Sequence, residues 1–143
     1  MKRVAWFRSD LRVDDNGTLC AAAAGGAEVI GLFLIADATW RQHDWGARRQ
    51  RFVWEQLLAL RAALARLGIP LRVLHAPRFA DAAQAVADFA TAQGAGEVLA
   101  AAEYGIDEIG RDAAVTAALR ERGIGWHCLH DFTLLAPGTV RTR

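Results

Sequence analysis

The sequence predicts a doubly wound, Rossmann-like α/β domain, and three observations predict it. Five short apolar runs, each the length of a strand, punctuate the chain. Four longer segments with helical character lie between them. Glycine or proline marks the changeovers, as in Gly68-Ile69-Pro70 and Gly94-Ala95-Gly96. Strands alternating with helices imply a parallel sheet, because each crossover returns the chain to the same end of the sheet. The expected sheet has five strands in the order 3-2-1-4-5, with helices on both faces.

The first strand is expected over Val4 to Phe7. A short, Ala-rich helix follows over Asn16 to Ala24, with Asp15 or Asn16 as its N-cap. Val29 to Ile35 reads VIGLFLI, an unbroken apolar run that predicts a strand buried on both faces. Arg48 to Leu67 carries the strongest helix signal. Val53, Leu57, Leu60, Leu64 and Leu67 recur at spacings of four and three, one apolar stripe that Gly68 then stops. Leu71 to Leu74 is the third strand. The helix over Phe79 to Gln93 places Phe79, Ala82, Val86 and Phe89 on one face. Glu97 to Ala101 is the fourth strand, Asp107 to Arg122 a helix carrying Val115 and Leu119, and Gly125 to Leu129 the fifth strand.

The 143 residues suit one domain, expected over 1–133, with 134–143 as the start of a linker. Apolar residues make up 53% and charged residues 23%, which excludes a disordered chain. Thirty alanines, and sixteen arginines against one lysine, speak of a GC-rich coding sequence. The net charge of +1 is too small for a domain that holds nucleic acid by phosphate neutralisation alone. Cys20 and Cys128 form no CxxC pattern and are expected as small core residues with free thiols. The N-terminus MKRVAWFRSDLR lacks the apolar stretch of a signal peptide, and no run approaches a membrane span. The expected location is the cytoplasm.

Ligands of such sheets bind beyond the carboxyl ends of the strands, near the reversal of strand order. The loops there are Arg8 to Asp15, Ala36 to Ala47, the turn after His75, and Ala102 to Ile106. The second is about twelve residues, longer than is usual for these units. No GxGxxG follows the first strand, and neither GxxxxGK[ST] nor GxSxG occurs. His127, Cys128 and His130 are the only clustered metal-type ligands. Positions 127 and 130 of a strand face opposite ways, so ordinary strand residues are the expected reading.

The segment Trp6-Phe7-Arg8-Ser9-Asp10-Leu11-Arg12-Val13-Asp14-Asp15-Asn16, followed by Leu19, resembles the opening signature of the DNA photolyase/cryptochrome family. That signature reads WFR at a strand end, then DLR, then DN opening a helix. Arg48-Arg49, Leu67 to Leu71, Tyr104 to Asp112, and Asp131 to Gly138 also resemble the family. The resemblance covers essentially the whole chain. It implies the N-terminal α/β domain of a photolyase or cryptochrome, which in many members carries a light-harvesting antenna chromophore. It further implies a partner, the helical FAD domain of the same or a separate chain, expected outside these 143 residues, through which alone DNA is met. Repair of pyrimidine dimers by light-driven electron donation from FAD is the activity implied for such a whole protein.

The resemblance implies three possible antennas: a deazaflavin, a methenyl-folate or FMN. For folate, His43 and Asp44 match a chromophore-contacting loop, and Asp107 and Glu108 match an Asn-Glu pair that holds the pterin. Here Asp107 replaces the Asn, removing an amide donor and adding a charge, so deazaflavin is favoured over folate. For deazaflavin the matching stretches supply Leu34, Ile35 and Asp37; Arg48, Arg51 and Trp54; and Ala101, Glu103, Tyr104 and Ile106. An empty pocket is the third option.

Each of these residues also has a plain structural reading. Arg8, Asp10, Arg12 and Asp15 form a local salt-bridge and capping set. Asp107 and Glu108 complement a helix dipole, worth under about 1 kcal/mol. Arg41, Arg48, Arg49 and Arg51 form a solvated face. Trp40, Trp45 and Trp54 pack on the core or on a partner domain, or else stack on a planar chromophore. Two alternatives of other classes are a nucleotide-binding stress-type α/β domain and a ligand-free interaction module. The first lacks a glycine-rich phosphate loop after the fourth strand, and the second requires an exposed apolar patch.

Overall fold

Alternation along the central strands builds two cores, one on each face of the sheet. The structure, a computed structural model, describes residues 1–135 and 137–139. Strand β1 (Lys2–Phe7) sends Val4 and Trp6 to one face and Ala5 and Phe7 to the other. β2 (Glu28–Ile35) divides Ile30, Leu32 and Leu34 from Val29 and Phe33. β3 (Leu71–His75), β4 (Glu97–Ala101) and β5 (Gly125–Leu129) complete a parallel sheet in the order β3-β2-β1-β4-β5, as expected.

Helices α4 (Ala82–Ala92) and α5 (Ile106–Glu121) cover one face with Val86, Phe89, Val115 and Leu119. α1 (Gly17–Ala23) and α3 (Ala47–Arg66) cover the other with Leu19, Ala22, Leu57, Leu60 and Leu64. Burying each such Leu is worth about 1.5–3 kcal/mol. Among the described residues no helix is long and apolar enough to cross a membrane.

Four expectations need correction. The loop over Ala36 to Ala47 contains a further helix, α2 (Asp37–Gln42), held by an Asp37–Arg41 ion pair at 2.8 Å and by burial of Trp40. The helix expected from Phe79 opens as a 3-10 turn over Phe79–Asp81 before α4 begins. Leu67 lies one residue beyond α3 and is 59% exposed, so the buried stripe ends at Leu64. Cys20 and Cys128 are exposed; Cys128 lies on the edge strand β5, its thiol 3.9 Å from Asp112 of α5. The linker expected over 134–143 falls partly outside the described residues; Leu134 and Leu135 are exposed.

The first loop is tied to the far end of the chain. Asn16 caps α1, its Oδ1 accepting from the Leu19 amide at 2.8 Å. The Gly17 amide donates to Asp131 Oδ2 at 2.8 Å, and a Cβ at Gly17 would lie 2.7 Å from the Asp131 carboxylate. Only glycine lets the carboxylate approach that amide.

At the amino end of the sheet, Glu97 accepts from Arg3 at 2.5 Å and meets His127 at 3.2 Å, joining β1, β4 and β5. The Arg3 guanidinium is the main cause holding the Glu97 carboxyl below its ordinary value of 4.5; burial opposes it and His127 assists. A depressed folded-state pKa contributes stability above the unfolded value, lost as pH falls through the folded one. Thermal unfolding between pH 7 and pH 3 should show the natural protein losing more stability below about pH 4.5 than Glu97→Gln; parallel curves would contradict the coupling. In urea denaturation Leu64→Ala should cost about 2–5 kcal/mol, and Leu67→Ala under about 0.5 kcal/mol. Equal losses would contradict the end of the buried stripe at Leu64.

Candidate ligand-binding cleft

The strand order reverses at β1, and a cleft of about 480 Å³ opens beyond the carboxyl ends of the strands there. β1 and β2 contribute Trp6, Phe7, Phe33 and Leu34 to its lining. α2, α3 and the turn between them add Trp40, Trp45, Phe52 and Val53. Ala76, Phe79 and Ala82 come from the segment after β3. The polar lining is five arginines, at positions 8, 12, 49, 78 and 111, with Ser9, Gln56, Glu103 and Glu108.

Two of those arginines belong to a buried ion cluster. The Arg8 and Arg111 side chains are each 5% exposed. Arg8 Nη1 meets Asp112 Oδ1 at 2.5 Å, and Arg8 Nη2 donates to the Ala101 carbonyl. Arg111 Nη2 meets Glu103 at 2.8 Å and Asp112 at 2.9 Å. Ser9 Oγ donates to Glu103. Both guanidiniums lie against the Trp6 ring, 4.9 and 5.1 Å from its centroid, and Arg111 also lies 4.8 Å from Phe79. Arg8 therefore leaves the local salt-bridge set expected of the first loop. In that loop the buried Asp10 accepts from the Arg8 amide at 2.9 Å, and Arg12 donates to the Asp15 carbonyl.

Trp40 is buried and stacks on Trp45, with 5.1 Å between centroids and 5° between planes. The Arg49 guanidinium sits 3.7 Å over the Trp45 ring. A parallel ring and a guanidinium at that height cannot share one face, so both faces of Trp45 are taken. Trp54, 47% exposed on α3, is not in the cleft lining.

The segments that build this cleft match known proteins over nearly their whole length. The family model for DNA photolyase matches residues 3–143. The chain belongs to the DNA photolyase family. It is 37% identical over 141 residues to the deoxyribodipyrimidine photo-lyase of Vibrio cholerae and 31% identical over 140 residues to that of Escherichia coli. The alignments cover 99% and 97% of this chain, but 30% and 29% of those relatives. The chain thus spans under a third of the relatives it matches. Among solved structures, a Synechocystis cryptochrome superposes with a TM-score of 0.79 at 21% identity, over 89% of this chain and 26% of that one. An archaeal photolyase from Sulfolobus tokodaii gives 0.76 at 22% identity, over 99% and 32%. At those identities the likeness shows the fold. Family membership decides against the nucleotide-binding stress-type domain.

Of the residues matched to chromophore contacts of the family, Leu34, Glu103 and Glu108 line the cleft. Glu108 folds back over Gly105 at the start of α5, where a Cβ would collide with its carboxylate. His43 and Asp107 meet at 3.1 Å in a second groove of similar volume, with Thr39, Gln42 and Arg78. The others lie outside the cleft lining. Ile35 packs into the α1–α3 core. Asp37 accepts from His75 at 2.7 Å, and that bond, with the Arg41 pair, lowers its carboxyl pKa. Asp44 is an exposed turn residue with a φ of 55°.

Arg48 is exposed, and Arg51 pairs with Glu55 at 2.9 Å. Ala101 is core, and Ile106 is 87% exposed. Tyr104 stacks on His130 and meets its Nδ1 at 2.9 Å. On α3 the lining residues are 49, 52, 53 and 56, one face at helical spacing. Arg48, Arg51 and Trp54 fall on the neighbouring faces. That spacing was the signal for Arg49 and Phe52, read too coarsely as a stretch. Arg111 carried no local signal, since its partner Glu103 comes from the loop before α5.

Removing one member of a buried ion cluster strands the others. Arg8→Met should cost about 3–5 kcal/mol in urea denaturation. A neutral outcome would show that the cluster adds nothing to stability.

Proposed function

We propose that this chain is the antenna domain of a DNA photolyase or cryptochrome, and that its cleft holds a planar tricyclic chromophore of the deazaflavin or flavin class. The observation that carries the proposal is the cleft itself. About 480 Å³ lined by seven aromatic side chains, with a few placed charges, fits a ligand site of drug-like size. Its place at the reversal of strand order is where such folds bind ligands. The Sulfolobus tokodaii photolyase crystallised with two FAD molecules, implicating a novel light-harvesting cofactor in that protein, which supports a flavin-type occupant here.

Folate is less well supported. His43 and Asp107 hydrogen-bond each other, so a pterin would have to displace that contact with no amide donor to replace it.

In this reading, Trp6, Phe33, Phe52 and Phe79 contact the ring system, and the Arg8–Arg111 cluster holds Trp6 and Phe79 in place. A bound chromophore supplies light absorption and passes its excitation to FAD. The FAD belongs to a helical partner domain, of the same or a separate chain, that meets DNA and carries out light-driven repair of pyrimidine dimers. Ile106, Ile109 and Phe132, which follow strand carboxyl ends and are exposed, offer apolar surface to that partner.

Titration of the purified 143-residue chain with a deazaflavin, FMN and methenyl-folate, followed by ligand fluorescence, tests the assignment. A saturable change is expected with the tricyclic ligands and none with folate. No saturable change with any of the three would remove the antenna reading and leave the fold intact.

A further inference from the structure

Helix α3 has a third face that the fold leaves uncovered. Leu57, Leu60 and Leu64 are buried in the core, and Arg49, Phe52, Val53 and Gln56 line the cleft. Trp54, Leu58, Ala62 and Ala65 recur at spacings of four, four and three, which is one helix face. All four are exposed, Leu58 by 66%. One exposed leucine is ordinary. A tryptophan and a leucine one turn apart, continued by two alanines, make an apolar stripe about three turns long.

The charges beside the stripe fit a copy of themselves. Arg51 pairs with Glu55 at 2.9 Å. Arg61 is exposed and has no carboxylate partner among the described residues. When two copies of α3 cross antiparallel at Leu58, residues equally far on either side of it come opposite each other. Leu58 then meets Leu58, Trp54 meets Ala62, and Glu55 meets Arg61, the last two contacts occurring twice by two-fold symmetry. The largest side chain of the stripe falls opposite one of the smallest, and the unpaired guanidinium gains a carboxylate. A parallel crossing would set Arg51, Glu55 and Arg61 each against its own copy, so like charges exclude that direction. The net charge of +1 opposes association little.

From this self-complementarity we infer that the exposed face of α3 is a self-association surface, on which two copies of this chain pair antiparallel about Leu58. A single helix face lies at the small end of specific interfaces, under about 1,200 Å² in total. The dimer is therefore weak, with a Kd of about 10–100 µM. The cleft is lined from another face of α3 and stays open in it. Ile106 and Ile109 stay free as well, because α5 covers the opposite face of the sheet.

Sedimentation equilibrium of the purified 143-residue chain, loaded from about 5 to 300 µM, tests the inference. A monomer–dimer equilibrium is expected within that range. Leu58→Glu should weaken it at least about tenfold. Because Leu58 is exposed, circular dichroism of that variant should match the natural protein. Ile109→Glu, on the other apolar patch, should leave the dimer as it was. Glu55→Arg and Arg61→Glu should each weaken association about threefold or more, by setting like charges opposite each other. An equimolar mixture of those two variants should recover it, since each copy then supplies the charge the other needs. These two rim variants decide the matter even where Leu58→Glu fails to fold.

A chain that stays monomeric throughout the range would overturn the inference. A dimer that resists Leu58→Glu but yields to Ile109→Glu would put the interface on α5, and one indifferent to both would point to the open edge of β3; either overturns it. Single charge variants that associate like the natural protein, or a mixture that does not recover, would overturn the antiparallel register. Growth beyond the dimer would do the same, because a two-fold contact closes at two copies.

Discussion

Arg8 leaves the first loop and pairs with Asp112, 104 residues later in the chain. That contact joins the end of β1 to α5 across the point where strand order reverses. Arg111 and Glu103 close the cluster, and the Ala101 carbonyl ties it to the end of β4. Two cations and two anions of low exposure offset each other's desolvation, which neither pair would do as well alone. The consequence for the site is mechanical. Trp6 has two guanidiniums against its ring and Phe79 has one, so two of the aromatic surfaces lining the cleft are fixed before any ligand arrives. A preorganised site avoids the ordering cost on binding.

The first-loop signature divides into parts with separate physical jobs. Trp6 and Phe7 alternate between the two cores while both edge the cleft. Asp10 and Asn16 are buried and bonded to each other, which shapes the loop and caps α1. Gly17 admits the Asp131 carboxylate and so fastens the segment after β5 to the same loop. Asp131 opens the second family-like stretch, so two motifs at opposite ends of the sequence form one contact.

The fold was legible because its signals are local. Strand runs, the α3 stripe and the glycine stops each sit within a few residues, and together they give the layers and the strand order. The exceptions were also local in cause. α2 is too short for periodicity to show, and Leu67 continues the stripe one residue past the helix it belongs to. The cleft was less legible. Residues on α3 were read as a stretch, Arg48 to Arg51, whereas a helix turns 100° per residue and offers only Arg49 of that group to the cleft. Arg111 and Phe79 join the lining through contacts across the sheet that no spacing announces.

The cleft therefore has two electrostatic regions with different origins. Its buried part is neutral by pairing, and those pairs brace the aromatic lining. Its remaining cations, Arg12 and Arg49, are held by a backbone carbonyl and by a Trp face, neither of which cancels charge. Holding an arginine on neutral groups keeps its field available, whereas an adjacent carboxylate would spend it. The net charge of the whole chain is only +1, so this local excess owes nothing to a generally basic surface. It arises from where the acids are placed: Asp112 and Glu103 sit under the cluster, Asp81 sits beside Arg78, and no carboxylate of the described residues reaches the other two.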